Sequence, residues 1–212
     1  MSTNDDLYLI ADELQAIANI GSRFSKNEHD LERYKQIRSI SARILGVIEN
    51  RSPDEILEQL ENNLLHVSPI LGSEAAVFQN DQILLIKRHD DGLWAIPGGL
   101  VDVGESWAKA AERELWEETK VRGQATKLMG VFDSRNWKSK SNLHLYHAVF
   151  LVECSDPSPT PTSEATEVGF FSQDNLPPLS RGHHLRVPFV FKLYKGEEPM
   201  AFFDLSADAI PE

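Results

Sequence analysis

Residues 93–121 constrain the fold of this chain more than any other segment, because a glycine-containing loop directly precedes an acidic helix there. The loop contains Gly98 and a second glycine, which let the backbone come close to a ligand. Each helical residue advances by about 100°, so Glu114, Glu117 and Glu118 lie on one face. Carboxylate oxygens on a short arc are the ligands that Mg²⁺ and Mn²⁺ prefer. The segment therefore predicts a divalent metal site rather than a solvated acidic face.

A second face of this helix, beside the acidic one, predicts a sheet packed against it. Ala108, Ala111 and Leu115 lie on a neighbouring face, and the small alanines permit a close approach. Either Ser106 or the loop before it is placed to cap the helix, which we expect to end near Thr119. The helix thus divides into an apolar face for the core and an acidic face for binding.

Short apolar runs on both sides of the helix predict a domain that contains a sheet. A Pro-rich stretch over residues 155–162 predicts a loop, and a last helix is expected over residues 186–194. The pair Asn80-Asp81 predicts a tight turn between two strands. Strands mixed with a few helices indicate an α+β fold or an α/β/α sandwich. The predicted strands are residues 75–78, 83–87, 145–152 and 169–171, with a further turn over 174–178.

The apolar periodicity of the sequence before this domain predicts three helices. Apolar residues recur at three- and four-residue steps over residues 7–20, and Gly21 is expected to end that helix. A second helix is expected over residues 30–48. A third starts at Ser52, which with Glu55 forms a capping-box pattern.

This change of pattern divides the chain into a helical module, residues 1–66, and a larger domain, residues 67–212. A module of about 60 residues is small for independent stability. Two interpretations stay open for it. It is either a helical cap on the larger domain, or an arm that serves dimerisation or substrate specificity.

Composition narrows the classes of function. The 212 residues include 21 Lys+Arg and 33 Asp+Glu, a formal net charge of −12. A general nucleic-acid binder needs a basic surface, so we expect no DNA partner. No apolar run approaches the roughly 20 residues of a membrane span, and the acidic first ten residues do not match a signal peptide. The single cysteine, Cys154, cannot form an internal disulfide, which favours a reducing cytoplasm.

Residues 99–121 resemble the signature of the Nudix hydrolases, G-x5-E-x7-R-E-U-x-E-E-x-G-U, where U is aliphatic. One position departs, because Lys120 stands where the family has a glycine that ends the helix in a left-handed turn. Lysine there either accepts some strain or lets the helix continue toward Gly123, and we expect the carboxylates to be unaffected. The matching residues are Gly99, Glu105, Arg113, Glu114, Leu115, Glu117, Glu118 and Val121.

This resemblance implies the Nudix fold, an α/β/α sandwich with a mixed sheet, and a chemistry. Members of the family hydrolyse a diphosphate linked to a group X, using Mg²⁺ or Mn²⁺. The resemblance implies that Arg113 orients the catalytic glutamates, often together with Glu105. The implied metal ligands are Glu114, Glu117, Glu118 and the carbonyl of Gly98.

Family members often carry a further catalytic or metal-binding glutamate in a later loop. We expect Glu164 rather than Glu167 to take this role, because Glu167 abuts the next predicted strand. An ordinary surface glutamate is the alternative for Glu164. His183, His184 and Arg186 are either placed to close over the ligand or lie on the surface, which is commoner for a histidine pair. No carboxylate partner is readable for them, and no role is assigned.

Residues outside the signature are candidates for binding the substrate. Arg88 suits a bidentate phosphate contact. For Trp94 there are two alternatives: it lines the site for the base or sugar, or it belongs to the core. Asp133, Arg135 and Trp137 begin a basic loop, which predicts either an edge of the substrate site or a solvated turn.

Residues 9–45 resemble the helical N-terminal domain of bacterial Nudix hydrolases related to CDP-choline pyrophosphatase, which often carry the name ADP-ribose pyrophosphatase. This second resemblance implies a nucleoside diphosphate-X substrate, the products NMP and X-phosphate, and a homodimer. An NTP or RNA-end pyrophosphohydrolase is the alternative enzyme, and the acidic charge weighs against a long RNA ligand. A regulator that binds a nucleotide without turnover is the alternative outside enzymes, although the signature glutamates are all present.

Overall fold

The computed structural model describes residues 3–62, 68–139 and 144–205 of the 212-residue chain. Its backbone separates into two compact units, one comprising the chain up to Pro69 together with His144, and the other beginning at Ile70. Within the described ranges, no helix is both long and apolar enough to cross a membrane.

Three helices form the first unit: α1 (Thr3–Phe24), α2 (Glu28–Glu49) and α3 (Pro53–Asn62). Asn27 caps α2, since its side-chain oxygen accepts hydrogen bonds from the N–H groups of His29 at 2.9 Å and Asp30 at 3.3 Å. Between α1 and α2, the buried hydroxyl of Ser41 donates to the carbonyl of Ala11 at 2.8 Å. A buried polar contact of this kind ties the two helices in one register.

Gly21 lies inside α1, so the expectation that it would end this helix is wrong. A Cβ atom on Gly21 would overlap the ring of Tyr34 on α2. The glycine therefore allows two helices to pack closely. The sequence could not separate this role from helix termination, because both call for a residue without a side chain.

The strands of the second unit within the described ranges are β1 (Ile70–Ala76), β2 (Phe78–Gln79), β3 (Gln82–Arg88), β4 (Trp94–Ala95), β5 (Gly98–Leu100), β6 (Gln124–Asp133), β7 (Leu145–Glu153), β8 (Ala165–Ser172) and β9 (Phe202–Phe203). The larger sheet has the order β5-β1-β7-β6-β9 and is mixed, because β1 pairs parallel with β7 and antiparallel with β5. The smaller sheet has the order β2-β3-β4, with β8 antiparallel to β3.

Two helices, α4 (Trp107–Thr119) and α5 (His183–Lys195), pack against opposite faces of β1. Successive strand residues point to opposite faces. Ala75 accordingly packs with Ala111 of α4, whereas Ala76 packs with Val190 of α5. The prediction of a mixed α/β fold with a mixed sheet, preceded by helices, is confirmed.

The segment predicted as one strand over residues 75–78 belongs to both sheets. The first strand ends at Ala76 in the larger sheet, and the next begins at Phe78 in the smaller one. The chain crosses between sheets at this point, which a continuous apolar run does not reveal. Asn80 and Asp81 adopt positive φ angles of 50° and 59°, as the predicted two-residue turn requires.

Candidate active site

Helix α4 begins and ends at residues with capping geometry. The hydroxyl of Ser106 accepts a hydrogen bond from the N–H of Lys109 at 3.3 Å, which confirms the predicted cap. Lys120 follows the helix in the left-handed conformation, with φ 61° and ψ 8°. Lysine therefore terminates the helix in the conformation that usually favours glycine, and the helix does not continue toward Gly123.

Replacing Lys120 by glycine is expected to raise the free energy of unfolding by about 1 kcal/mol, because glycine adopts the left-handed conformation without a Cβ penalty. Hydrolytic activity should be retained. Urea unfolding measures the effect. Lys109→Gly is the matched control, since this exposed lysine of α4 has ordinary helical geometry, and glycine there should lower stability by about 1 kcal/mol. A destabilised Lys120→Gly variant would contradict the strain argument.

The guanidinium of Arg113 joins the carboxylates of α4 to the preceding loop. Its Nη1 donates to Glu114 at 2.7 Å and to Glu117 at 2.9 Å. Its Nη2 donates to Glu105 at 2.7 Å and to the carbonyl of Leu100 at 3.0 Å. This charge-assisted network lowers the pKa of Glu105, chiefly through the hydrogen bond from Arg113. The arrangement places Arg113 where it can orient two of the three glutamates.

Glu118 and Glu114 face the backbone of β5 from a largely buried position. The side chain of Glu118 accepts a hydrogen bond from the N–H of Gly98 at 2.8 Å. A Cβ atom on Gly99 would overlap the carboxylate of Glu114. Gly99 is therefore needed for the close approach between β5 and α4, whereas a Cβ atom on Gly98 would overlap Glu74 of β1. The predicted approach of this turn to a ligand stays a prediction.

Burial disfavours the charged forms of these two carboxylates. It raises the pKa of Glu118 to about 8, against the hydrogen bond from Gly98, and the charges of Glu114 and Glu164 raise it further. Burial likewise raises the pKa of Glu114, against its pairing with Arg113. Two buried carboxylates held near each other in this way need a further positive charge to be stable as anions.

The donor set suits a divalent cation in kind, because hard carboxylate oxygens from one helix face lie beside the backbone of β5. Within the described ranges, however, no three His, Cys, Asp or Glu side chains are grouped as a metal-binding set. Arg113 engages Glu114 and Glu117, and Gly98 engages Glu118. Cation binding would draw these carboxylates away from their present partners.

The loop before β8 is tied to the C-terminal end of α4. Thr162 donates through its hydroxyl to the carbonyl of Glu118 at 3.2 Å, and the N–H of Thr160 donates to the carbonyl of Thr119 at 2.8 Å. These bonds place the exposed Glu164 beside the acidic face. There the charge of Glu164 raises the pKa of Glu118. Glu167 instead pairs with Lys87 at 2.7 Å. The structure thus gives the two glutamates different surroundings.

Arg88 and Trp94 lie near this site but differ in accessibility. Arg88 is partly exposed and donates two hydrogen bonds to Asp90, at 2.8 and 2.9 Å. It lies close enough to Glu118 for its positive charge to lower the pKa of Glu118, against the effect of burial. Trp94 is half-buried and packs edge-on against Phe171, with ring centroids 4.7 Å apart. Trp94 therefore contributes at least in part to the core.

The residues after β6 pair within the protein. Arg135 donates to the buried carboxylate of Asp133 at 3.0 Å through Nη2. Trp137 is 1% exposed and donates through Nε1 to Asp204 at 2.8 Å. The expectation of Trp137 at a substrate edge is therefore wrong. It belongs to the core, because its ring packs against Phe132 and its N–H donates to the partly buried carboxylate of Asp204.

Sequence reasoning missed a second group of ionisable residues, which the fold buries on the α5 side of the larger sheet. Arg186 Nε donates to Glu74 at 3.0 Å, and His147 lies 3.2 Å from the same carboxylate. His183, to which the sequence assigned no role, is also buried there. The available signal was a charged residue, Glu74, within a strand whose other residues are uncharged, but its partners are not close in sequence.

Family comparisons assign both parts of the chain. The model described as "NUDIX domain" matches residues 72–193, more than half of the chain. The model described as "UDP-X-like, N-terminal oligomerisation domain" matches residues 5–60.

Individual relatives match over most of the chain. YjhB of Bacillus subtilis (strain 168) is 29% identical over 198 residues, covering 92% of this chain and 95% of YjhB. The ADP-ribose pyrophosphatase of Methanocaldococcus jannaschii is 30% identical over 156 residues, covering 70% of this chain and 91% of that protein. A crystal structure of UDP-X diphosphatase is 25% identical with a TM-score of 0.60, covering 95% of this chain and 99% of that one.

Proposed function

The chain belongs to the Nudix hydrolase family, and we propose that it is a metal-dependent pyrophosphohydrolase that cleaves a nucleoside diphosphate linked to a group X into NMP and X-phosphate. One observation carries this proposal. Three carboxylates lie on one face of α4 beside the glycine backbone of β5, with Arg113 oriented toward two of them. This face combines hard oxygen donors with partial burial, which a site for a cation and an anionic diphosphate requires.

The residues that would hold Mg²⁺ or Mn²⁺ are Glu114, Glu117, Glu118 and the carbonyl of Gly98. When bound, such a cation supplies positive charge to the diphosphate oxygens and makes water more acidic. The donor types and the raised pKa of the two buried glutamates support this assignment.

The chain's own residues supply orientation and proton transfer. Arg113 holds Glu114 and Glu117 through its two Nη1 bonds. Arg88 offers a partly exposed guanidinium close to Glu118 and suits a bidentate contact with a phosphate. Glu164 is exposed beside the acidic face, and we propose its carboxylate as an acceptor for the proton of the attacking water.

The relatives narrow the substrate that we propose to a nucleoside diphosphate with a second group attached, the class to which UDP-X, ADP-ribose and CDP-choline belong. Support comes from the match to UDP-X diphosphatase over nearly all of this chain. The ADP-ribose pyrophosphatase of Streptococcus suis, 29% identical with a TM-score of 0.54, matches over 65% of this chain and all of its own length. A reducing compartment such as the cytoplasm stays a prediction based on the single cysteine.

A substrate panel tests the proposal. The purified chain is incubated with Mg²⁺ or Mn²⁺ and a UDP-sugar, CDP-choline, ADP-ribose, NADH, a dinucleoside polyphosphate or an NTP, and the products are identified. We expect NMP and X-phosphate from at least one nucleoside diphosphate-X compound. Preferred release of pyrophosphate from an NTP would support the alternative enzyme. Nucleotide binding without turnover of any compound would support a regulator instead.

The helical module carries an apolar surface that supports a homodimer. On α1, four exposed residues follow one face at spacings of seven, three and four: Ile10, Ile17, Ile20 and Phe24. On α2, Ile40 and Val47 are also exposed, Val47 to 80%. Together with the match to an oligomerisation domain over residues 5–60, this surface supports pairing of two copies through residues 1–66.

Replacing Ile17 by glutamate is expected to shift the protein from dimer to monomer, because a charge in an apolar interface must be desolvated without a partner. Light scattering coupled to size-exclusion chromatography measures the mass. Lys35→Glu is the matched control, since Lys35 is exposed on α2 outside the apolar surface. A Ile17→Glu variant that stays dimeric at micromolar concentration would place the interface elsewhere.

A further inference from the structure

Four ionisable side chains form a group behind β5, which we call the Glu74 cluster: the buried Glu74, His183 and Arg186, and the partly buried His147. All four belong to the second unit, and three elements supply them, β1, β7 and α5. Arg186 is 1% exposed and Glu74 is 3% exposed. Because buried charges are costly unless they are paired, a cluster of this kind needs a structural or functional reason.

Arg186 and Glu74 form the centre of the cluster. Arg186 donates through Nε to one carboxylate oxygen at 3.0 Å and through Nη2 to the other. His147 contributes Nδ1 at 3.2 Å from the second oxygen. A bidentate pair of this geometry fixes direction as well as distance. The pair therefore holds α5 against β1 in one arrangement.

His183 extends the cluster to the backbone that precedes β5. The N–H of Ile96 donates to Nδ1 of His183 at 3.3 Å. Burial, and after it the charge of Arg186, lowers the pKa of His183 well below its ordinary value, so the ring is neutral. A neutral imidazole has one acceptor nitrogen, and the contact from Ile96 assigns it to Nδ1. Nε2 then carries the proton and lies 3.2 Å from Arg186 Nη2 and 3.9 Å from Glu74.

The three residues from Ile96 to Gly98 lie between this cluster and the acidic face of α4. The N–H of Gly98 donates to Glu118 at 2.8 Å. On the other side, Glu74 Cα and Cγ lie 2.8 Å from the place where a Cβ of Gly98 would be. The carbonyl of Pro97 accepts a hydrogen bond from the N–H of Ala75 at 2.8 Å. Contacts on both faces therefore determine where Gly98 lies.

We propose that His183, buried between Arg186 and Ile96, is a positioning residue. Through its contact with Ile96 it fixes the backbone of residues 96–98 and, through that backbone, the places of Glu118 and the Gly98 carbonyl. This inference rests on the proposed function, since it assigns His183 a role in the same site. A displacement of about 1 Å in a reacting group can cost about a hundredfold in rate, so a backbone anchor outside the acidic face affects turnover.

The test compares three substitutions of one residue. His183→Asn places an amide oxygen where Nδ1 lies and keeps the acceptor for Ile96. His183→Leu and His183→Phe remove the acceptor but keep an apolar volume, and Phe also keeps a ring. We expect kcat to fall about tenfold or more for Leu and Phe, with KM changed by less than about threefold. For Asn we expect kcat within about threefold of wild type.

Hydrogen–deuterium exchange of the metal-free protein gives a readout that does not depend on turnover. The amide of Ile96 should exchange faster in the Leu and Phe variants than in wild type and in the Asn variant. Thermal unfolding of wild type and the three variants identifies any variant that has lost its fold. Each kcat is calculated per mole of folded protein.

Two results would overturn the inference. One is wild-type kcat and unchanged Ile96 exchange in the Leu and Phe variants. The other is an Asn variant as impaired as they are, since the acceptor would then not matter. The activity of the wild-type protein on the substrate panel is measured first. An inactive wild type contradicts the proposed function, whereas an active wild type with equally active variants contradicts only the role of His183.

Discussion

Replacing Glu118 by glutamine is expected to lower kcat by about a hundredfold or more while the fold is retained. The amide keeps the shape of the side chain and an oxygen that can accept the hydrogen bond from Gly98. It removes the negative charge that we propose for holding a divalent cation. Because burial and the neighbouring carboxylates disfavour that charge, the variant should be at least as stable as wild type without metal.

Steady-state kinetics with Mg²⁺ and thermal unfolding with and without Mg²⁺ check this result. Mg²⁺ should raise the Tm of wild type more than that of the variant, because a ligand that binds only the folded state stabilises it. Glu112→Gln is the matched control on the same helix. Glu112 accepts from the N–H of Ala125 at 3.0 Å, and glutamine can still do so. Wild-type turnover by Glu118→Gln would remove this glutamate from the metal site.

Replacing Glu74 by leucine is expected to destabilise the protein by roughly 3–5 kcal/mol, because the charge of Arg186 would remain buried without its partner. Urea unfolding measures the loss. Glu74→Leu combined with Arg186→Met is the control, since it removes both charges and should recover much of the stability. A double variant as unstable as the single one would show that shape rather than charge pairing dominates.

The same pair predicts a direction for acid unfolding. Burial acts to raise the pKa of Glu74, but the charge of Arg186 and the hydrogen bond from His147 outweigh it and hold the pKa well below the ordinary 4.5. A carboxyl with a depressed pKa in the folded state stabilises the protein above its unfolded-state pKa. This contribution is therefore lost as the pH falls below about 4.5.

Much of the acidic helix follows from local rules that a sequence reveals. The side chain of Ser106 caps α4, and the helix ends after Thr119 as expected. The i, i+3 and i, i+4 spacing brings the glutamates to one face, whatever surrounds the helix. The left-handed Lys120 is also local, because its neighbours in sequence determine where the helix ends.

Other expectations failed where a distant contact decided the outcome. Gly21 continues α1 because Tyr34 of the next helix occupies the space beside it. Trp137 is a core residue because the carboxylate of Asp204, 67 residues further on, accepts its N–H. Residues 75–78 divide between two sheets because of what each half pairs with. None of these partners is visible in a local pattern.

The sequence by itself determined the helical module, the mixed α/β class and the acidic face of α4 beside two glycines, because helix periodicity, capping and turn formation act over a few residues. Only the tertiary structure decided which buried groups contact the backbone next to that face. Glu74 and Arg186 are 112 residues apart in the chain, and His183 reaches Ile96 across 87. Such pairs form only when the path of the whole chain brings β1, β5 and α5 together, and no spacing rule in the sequence encodes that path.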